Sequence, residues 1–394
     1  MQREVMLNFA DIKNNNNKFY SIKLHDDNRI EIEYGRVGGI STTLFKTGGE
    51  KVFEKQMKAK IKKGYVPVDI AKVEEIEDQE DTTDYSKDTI MLMLKYLLSL
   101  SKNYVKHNVN IPLGSLTESQ IKKGKESLNK IRAALNSGKK DFDYVGESNE
   151  FYRSIPFPFN SASGRNNRDV LIIDTMDKVT DKDDLLDVIA SILPEKNARP
   201  TDEIYNVRQG LHNDMEVLCN SSSEYSDIID GIVNSLGHNH SHNFHINEII
   251  KINDGVDHKP FNKKNIKTKM LYHGTRSENV LSILKSGLKT SPPSNVHITG
   301  KMFGNGIYLA DSSTKSMNYC SGFGSTRTSK YYLLICEAAT GKEMKTQNAQ
   351  PGLTAAPKGY DSVKGEKGSR LIHNEYIVYD NSQVRIKYIV EFTK

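Results

Sequence analysis

The sequence contains no tryptophan, and among its 394 residues there are only 3 cysteines and 11 prolines. The cysteines, Cys219, Cys320 and Cys336, are too few and too scattered for a disulfide scaffold or a four-ligand zinc site. They point to a reducing compartment. No apolar run reaches the ~18 residues of a membrane-spanning helix. The longest apolar-rich stretch, Ile90 to Leu100, is interrupted by Lys95. The first residues, MQREVMLNFADIKNNNNK, carry no apolar core of the signal-peptide kind. Neither secretion nor membrane insertion is expected. Charge of one sign is also scarce: 55 Lys+Arg against 50 Asp+Glu leaves +5. A surplus that small argues for nucleic acid only where it clusters. What is present is a polar but globular composition, 37% hydrophobic and 27% charged. At roughly 100–200 residues per domain the length predicts two to four domains.

Residues 1–75 read as a small β-rich unit. The run Arg29-Ile30-Glu31-Ile32-Glu33-Tyr34 alternates strictly and puts Ile30, Ile32 and Tyr34 on one face of a strand. Gly35, Gly38 and Gly39 predict a hairpin turn, and Asn14 to Asn17 another. Gly49 to Lys63 predicts a basic helix, with Val52, Phe53, Met57 and Ile61 inward and Lys51, Lys55, Lys58, Lys62 and Lys63 outward. Residues 76–87 fall in an acidic stretch that reads as a solvated linker.

Residues 88–195 read as helical. Helices are predicted at Ile90 to Leu100, at Ile121 to Asn136 behind a Thr117–Gln120 capping signal and ahead of Gly138, and at Asp183 to Leu193. Residues 200–394 change character. Strands are predicted at Phe244 to Ile252, Tyr331 to Ala338, Glu375 to Tyr379 and Arg385 to Glu391, with one clear helix at Ser277 to Ser286. The expected fold is multidomain α+β: a small β-rich N-terminal domain, an all-α domain, and a mixed α+β domain on antiparallel sheets.

Three segments of the last domain carry candidate chemistry: LYHGTR at 271–276, FGNGIYLA at 303–310 with KSMNY at 315–319, and NEYIVYD at 374–380. Singly none is specific; Gly304-x-Gly306 lacks the third glycine of a dinucleotide fingerprint. Together, in order and spacing, they resemble the catalytic domain of the poly(ADP-ribose) polymerases, whose His-Tyr-Glu triad would be His273, Tyr308 and Glu375. IPLGSL at 111–116 and NEFYRSIP at 149–156 resemble the family's helical regulatory domain. YGRVG at 34–38 resembles its Trp-Gly-Arg domain. The arrangement is similar to the short, DNA-dependent members without zinc fingers.

The resemblance implies an NAD+-consuming ADP-ribosyltransferase, with NAD+ as substrate and no metal. It would be stimulated by DNA strand breaks, act on acceptor proteins including itself, work as a monomer away from membranes, and serve DNA repair in the nucleus of a eukaryotic host. Nicotinamide would be displaced from the ribose through an oxocarbenium-like transition state. Gly274 would present its backbone to the carboxamide, and Ser316 a hydroxyl. Tyr308 and Tyr319 would stack on the ring. His273 would bind the adenine-side ribose, with Arg276 and Asn279 near the adenosine half. Glu375 would hold the nicotinamide-ribose 2′-OH and polarise the attacking hydroxyl, and Lys315 would position that carboxylate. The helical domain would restrain NAD+ access until DNA binds. Arg36, Lys51, Lys55 and Lys58 would contact DNA phosphates.

The sequence departs from the family pattern at several points. Tyr34 stands for the naming Trp, Tyr272 for the Trp before the triad His, Thr275 for Ser, and Lys289 for an Arg. His238, His240, His242 and His245 lie close together but lack a Cys or acidic partner at ligand spacing, so a metal site is not expected. Two rivals remain: a mono-ADP-ribosyltransferase using the same site, and an inactive nucleic-acid-binding scaffold.

Overall fold

The computed structural model describes residues 3–68, 87–109, 116–159, 168–193, 203–211, 214–237, 243–262, 267–290, 301–321 and 328–394. The chain forms two compact units, residues 1–79 with 102–194 and residues 80–101 with 195–394. The first unit thus joins the β-rich domain to most of the helical one. Residues 89–101 count with the second unit.

The first unit opens on an antiparallel sheet of β1 (Arg3–Asp11), β2 (Asn16–Leu24), β3 (Arg29–Arg36), β4 (Ser41–Thr47) and β5 (Val66–Val68), in the order β4-β3-β2-β1-β5. The alternation in β3 buries Ile30 and Ile32 against Phe53 of helix α1 (Gly49–Ile61). Tyr34, which stands for the family's Trp, pairs in register with Tyr20. Their rings lie 5.9 Å apart, and Lys60 Nζ sits 3.9 Å from the Tyr20 centroid. The asparagine run turns β1 into β2, with Asn15 at positive φ.

Helix α2 (Thr89–Asn108) runs well past the predicted end at Leu100, because no Gly or Pro stops it. Helix α3 (Glu118–Ser137) has the expected capping box between Thr117 and Gln120, a contribution of about 1 kcal/mol, and ends at left-handed Gly138. Then follow α4 (Tyr144–Ser154), α5 (Arg168–Leu171) and α6 (Met176–Ile192). α6 begins before the predicted Asp183, at a Thr175 cap. Leu128, Ile131, Phe151, Leu185, Leu186 and Ile189 form their common core. α4 is fixed to the sheet by Asn8 Nδ2 donating to the Tyr152 carbonyl at 2.9 Å and by Ile12 N–H donating to Asn149 Oδ1 at 2.9 Å.

The second unit adds α7 (Glu203–Gly210), β6 (Met215–Val217), α8 (Ser223–Asn234), β7 (His245–Val256), β8 (Thr268–Gly274), α9 (Ser277–Ser286), β9 (Ile307–Leu309), α10 (Ser313–Cys320), β10 (Tyr331–Ala339), β11 (Glu343–Thr346), β12 (Ser362–Gly365), β13 (Glu375–Val378) and β14 (Val384–Thr393). α9 has the predicted bounds. α7, α8 and α10 correct the expectation of a single helix here. α7 and α10 are only 8 residues each, whereas α8 does carry an apolar stripe, Tyr225, Ile228, Ile229 and Ile232, at helical spacing, a signal the sequence reading passed over. One sheet is β6-β7-β14-β10-β8, antiparallel throughout; the other is β11-β12-β13-β9, in which only β11–β12 is parallel. The two sheets join at Tyr272 and Ala310, which exchange backbone hydrogen bonds of 2.8 and 2.9 Å. Among the described residues no helix is long and apolar enough to cross a membrane.

Candidate active site

The junction of the two sheets gathers the three signature segments. β8 ends on His273 and Gly274, β9 carries Tyr308, and β13 begins at Glu375. In the register of β13 against β9, Tyr308 faces Ile377. α10 supplies Lys315, Ser316 and Tyr319, which its 3.6-residue period keeps on neighbouring faces. Ser312 caps that helix by accepting from Lys315 N–H, and so sets where its first turn points.

Gly274 admits no other residue. A Cβ there would stand 1.8 Å from the Ser316 carbonyl oxygen, so β8 and α10 meet backbone to backbone. The Ser316 hydroxyl donates to the Tyr272 carbonyl at 3.2 Å and is buried. The hydroxyl that Tyr272 brings in place of an indole is paired with Ser235 Oγ at 3.2 Å.

His273 Nδ1 lies 2.9 Å from the Tyr308 carbonyl oxygen. A carbonyl only accepts, so Nδ1 bears the proton and Nε2 presents a lone pair. Burial lowers the His273 pKa from its ordinary 6.5, with the bond to Tyr308 acting in the opposite direction. The ring is therefore neutral at pH 7. Because the folded value lies below the unfolded one, this group's contribution to stability is full above pH 6.5 and is lost as pH falls through the folded value. Protonation would also turn Nε2 from acceptor into donor. The acid limb of kcat/KM for NAD+ is expected below pH 6.5; a limb at or above 6.5 in a pH-rate profile would contradict a neutral His273.

Tyr308 is held at its hydroxyl. It donates to the Gly304 carbonyl at 2.9 Å and accepts from Phe303 N–H at 2.9 Å. Burial raises its pKa well above the ordinary value, and the charge of Glu375 raises it further. Gly304 adopts φ +77°, and a Cβ there would lie 1.9 Å from the Leu353 carbonyl oxygen. The phenol is thus anchored at one end while the residue stays only partly buried. Tyr319 is 56% exposed.

Glu375 is 8% exposed. Lys315 Nζ donates to its Oε1 at 2.7 Å and to the Asn374 carbonyl at 3.3 Å. Its Oε2 is buried and has no partner among the described residues. A buried carboxylate oxygen left unpaired costs free energy unless something fills the place. Asp311 missed notice in the sequence, although it closes the GIYLAD run. It accepts from Asn374 Nδ2 at 2.7 Å and from the Tyr376 hydroxyl at 3.1 Å, bracing the residues on either side of Glu375.

Arg276 occupies the N-cap position of α9 without a side-chain capping bond, and its Nε stands 3.7 Å from Glu278, itself 2% exposed. Asn279 donates to Thr275 Oγ1 at 3.4 Å, and its buried Oδ1 has no partner among the described residues. Lys289 is described, but residues 291–300 after it lie outside the described residues. So do His238, His240 and His242, residues 76–86 of the acidic stretch, and residues 111–115 of the IPLGSL segment. His245 opens β7. Cys320 and Cys336 are buried, and burial pushes the Cys320 thiol up to about 12.

In the first unit Arg36 is exposed and donates to the Asn15 carbonyl across the turn. Lys51, Lys55 and Lys58 are exposed along one side of α1, with Lys58 3.4 Å from Glu54.

Three family models match the chain. The poly(ADP-ribose) polymerase catalytic domain matches residues 222–371, its regulatory domain 91–199, and the WGR domain 3–72. The catalytic match stops just short of Glu375. The chain is 27% identical to poly(ADP-ribose) polymerase 2 of Homo sapiens over 98% of this chain and 79% of that one. It is 28% identical to poly(ADP-ribose) polymerase 2 of Zea mays over 98% and 70%. It is 30% identical to poly(ADP-ribose) polymerase 1 of Xenopus laevis over 74% of this chain and 32% of that one.

Proposed function

Because the chain belongs to the poly(ADP-ribose) polymerase family and is an NAD+ ADP-ribosyltransferase, we propose that broken DNA activates it to build poly(ADP-ribose) on acceptor proteins, itself included. The observation that carries the polymerase reading is Glu375: one carboxylate oxygen fixed on Lys315, the other buried and without a partner among the described residues.

The vacant Oε2 accepts the 2′-OH of the nicotinamide ribose, and in elongation it takes the proton of the attacking hydroxyl. The C1′–N bond to nicotinamide breaks, its electron pair leaving with the ring. A C1′–O bond forms to the acceptor. A carboxylate at this place also stabilises positive charge developing on the sugar. Tyr308, anchored by its hydroxyl, offers a fixed face for the nicotinamide, and exposed Tyr319 closes on the other. Gly274 lets the carboxamide reach backbone groups. The Ser316 lone pairs lie beside that place, while its proton stays on Tyr272. The Nε2 of His273 accepts a hydroxyl of the adenine-side ribose, and Asn279 Oδ1 and Arg276 border the adenosine half.

DNA is held through phosphates by Arg36 and by Lys51, Lys55 and Lys58, and the helical domain restrains NAD+ access until then. The protein works as a nuclear monomer in a eukaryotic host. Incubation with labelled NAD+, with and without nicked DNA, tests the reading. DNA-stimulated ladders are expected. A single-unit label would make the protein a mono-transferase, and no label a scaffold. Stimulation should fall steeply with salt, since phosphate contacts release counterions. Arg36→Ala is expected to weaken the DNA response. Stimulation equal to wild type would remove Arg36 from the interface.

A further inference from the structure

At the far end of β3 from Arg36, an open groove of about 570 Å³ lies between β3, β4 and α1. Arg29, Lys46 and Lys55 line it together with Phe45, and no acidic side chain does. The Arg29 guanidinium lies over the Phe45 ring, 5.1 Å from its centroid. Its Nε faces Asp27 at 3.8 Å, and both of these side chains are largely exposed. Lying over the Phe45 ring, the fork keeps its outer N–H edge for a bidentate oxyanion. Among the described residues neither Lys46 nor Lys55 makes an ion pair. Three cations sharing one concavity repel one another, and a polyanion relieves that repulsion.

We propose that this groove is a second phosphate-binding site, which grips the backbone of the DNA duplex away from the Arg36 contact. The inference rests on the DNA-binding reading above. Its geometry comes from β3 itself. Arg29 and Arg36 are its first and last residues, and seven steps of about 3.3 Å put them about 23 Å apart. At 3.4 Å per base pair, that span is about 7 base pairs of duplex. With β3 laid along the duplex and Arg36 at the break, the groove engages only DNA that extends that far. It supplies affinity by charge and fixes orientation without reading sequence.

The test measures binding of the full-length protein to nicked duplexes as a function of salt, with arms either shorter or longer than about 7 base pairs. R29Q/K46Q is compared with wild type and R36A. On long arms the double variant should lower the salt slope by about 2, each lost phosphate contact removing about 0.9. On short arms it should match wild type. R36A should weaken both. If R29Q/K46Q keeps the wild-type slope on long arms while R36A weakens binding, the groove is not on the DNA path and the proposal falls alone. If wild type does not bind nicked DNA, the DNA reading falls first. If R29Q/K46Q loses purified poly(ADP-ribose) but keeps DNA, the groove serves the product and the proposal is overturned.

Discussion

Glu375→Gln is expected to abolish chain growth while NAD+ still binds. The amide is nearly the same size as the carboxylate, and its oxygen can still accept from Lys315 Nζ, now 2.7 Å from Oε1. Folding and the fit of the nicotinamide pocket should survive. What is lost is the charge that stabilises the sugar in the transition state and the base that takes the hydroxyl proton. General-base catalysis alone is worth about 10²–10⁴ in rate, so elongation should fall by at least that range. Polymer length on denaturing gels and NAD+ affinity by calorimetry separate the two effects. Long polymers from the Gln variant would refute the role given to Glu375.

The position of Glu375 shows how far the sequence could be read. The NEYIVYD segment marks the residue, and four apolar or aromatic residues after it mark a strand. Nothing in that segment shows that Oε2 is left without a partner, because this depends on α10 arriving from sixty residues away in the chain. Lys315 was expected to position that carboxylate, and its 2.7 Å bond is there; that it takes Oε1 and leaves Oε2 was not legible. Strictly periodic or capped elements were readable, as with β3, α3 and α9. The 8-residue helices α7 and α10 were not, since tertiary packing holds helices that short; α8 was passed over although Tyr225, Ile228, Ile229 and Ile232 fall at helical spacing. Asp311 was overlooked for a similar reason. An acid after a strand usually faces water, and only the register of β13 against β9 brings Asn374 and Tyr376 to it. The asparagine-rich turn and the glycine turn of the first domain were legible because Asn and Gly tolerate positive φ.

Removing the first compact unit is expected to leave an enzyme that needs no DNA. Every residue assigned to NAD+, from His273 to Glu375, lies in the second unit, so chemistry does not require the rest. The cut must respect α2. The Tyr96 hydroxyl lies 3.1 Å from Ser329 Oγ and accepts from Ser329 N–H at 3.2 Å, and its ring is 6.4 Å from that of buried Tyr332. Ser101 Oγ donates to the Glu278 carbonyl at 3.1 Å, in the first turn of α9 beside the candidate site. A fragment beginning at residue 200 would lose these contacts, and inactivity would then have two explanations. The informative chain keeps 87–101 and 195–394, joined by about 20 Gly/Ser residues that span about 25 Å on average. If the helical domain holds the NAD+-competent state at ~1%, its removal raises that population up to ~100-fold. Turnover without DNA should rise by as much and cease to respond to nicked DNA. If this chain folds by circular dichroism but stays inactive, the helical domain supplies part of the site. Gating would then be the wrong account of it, because a domain that only restrains access cannot be needed for the reaction once it is gone.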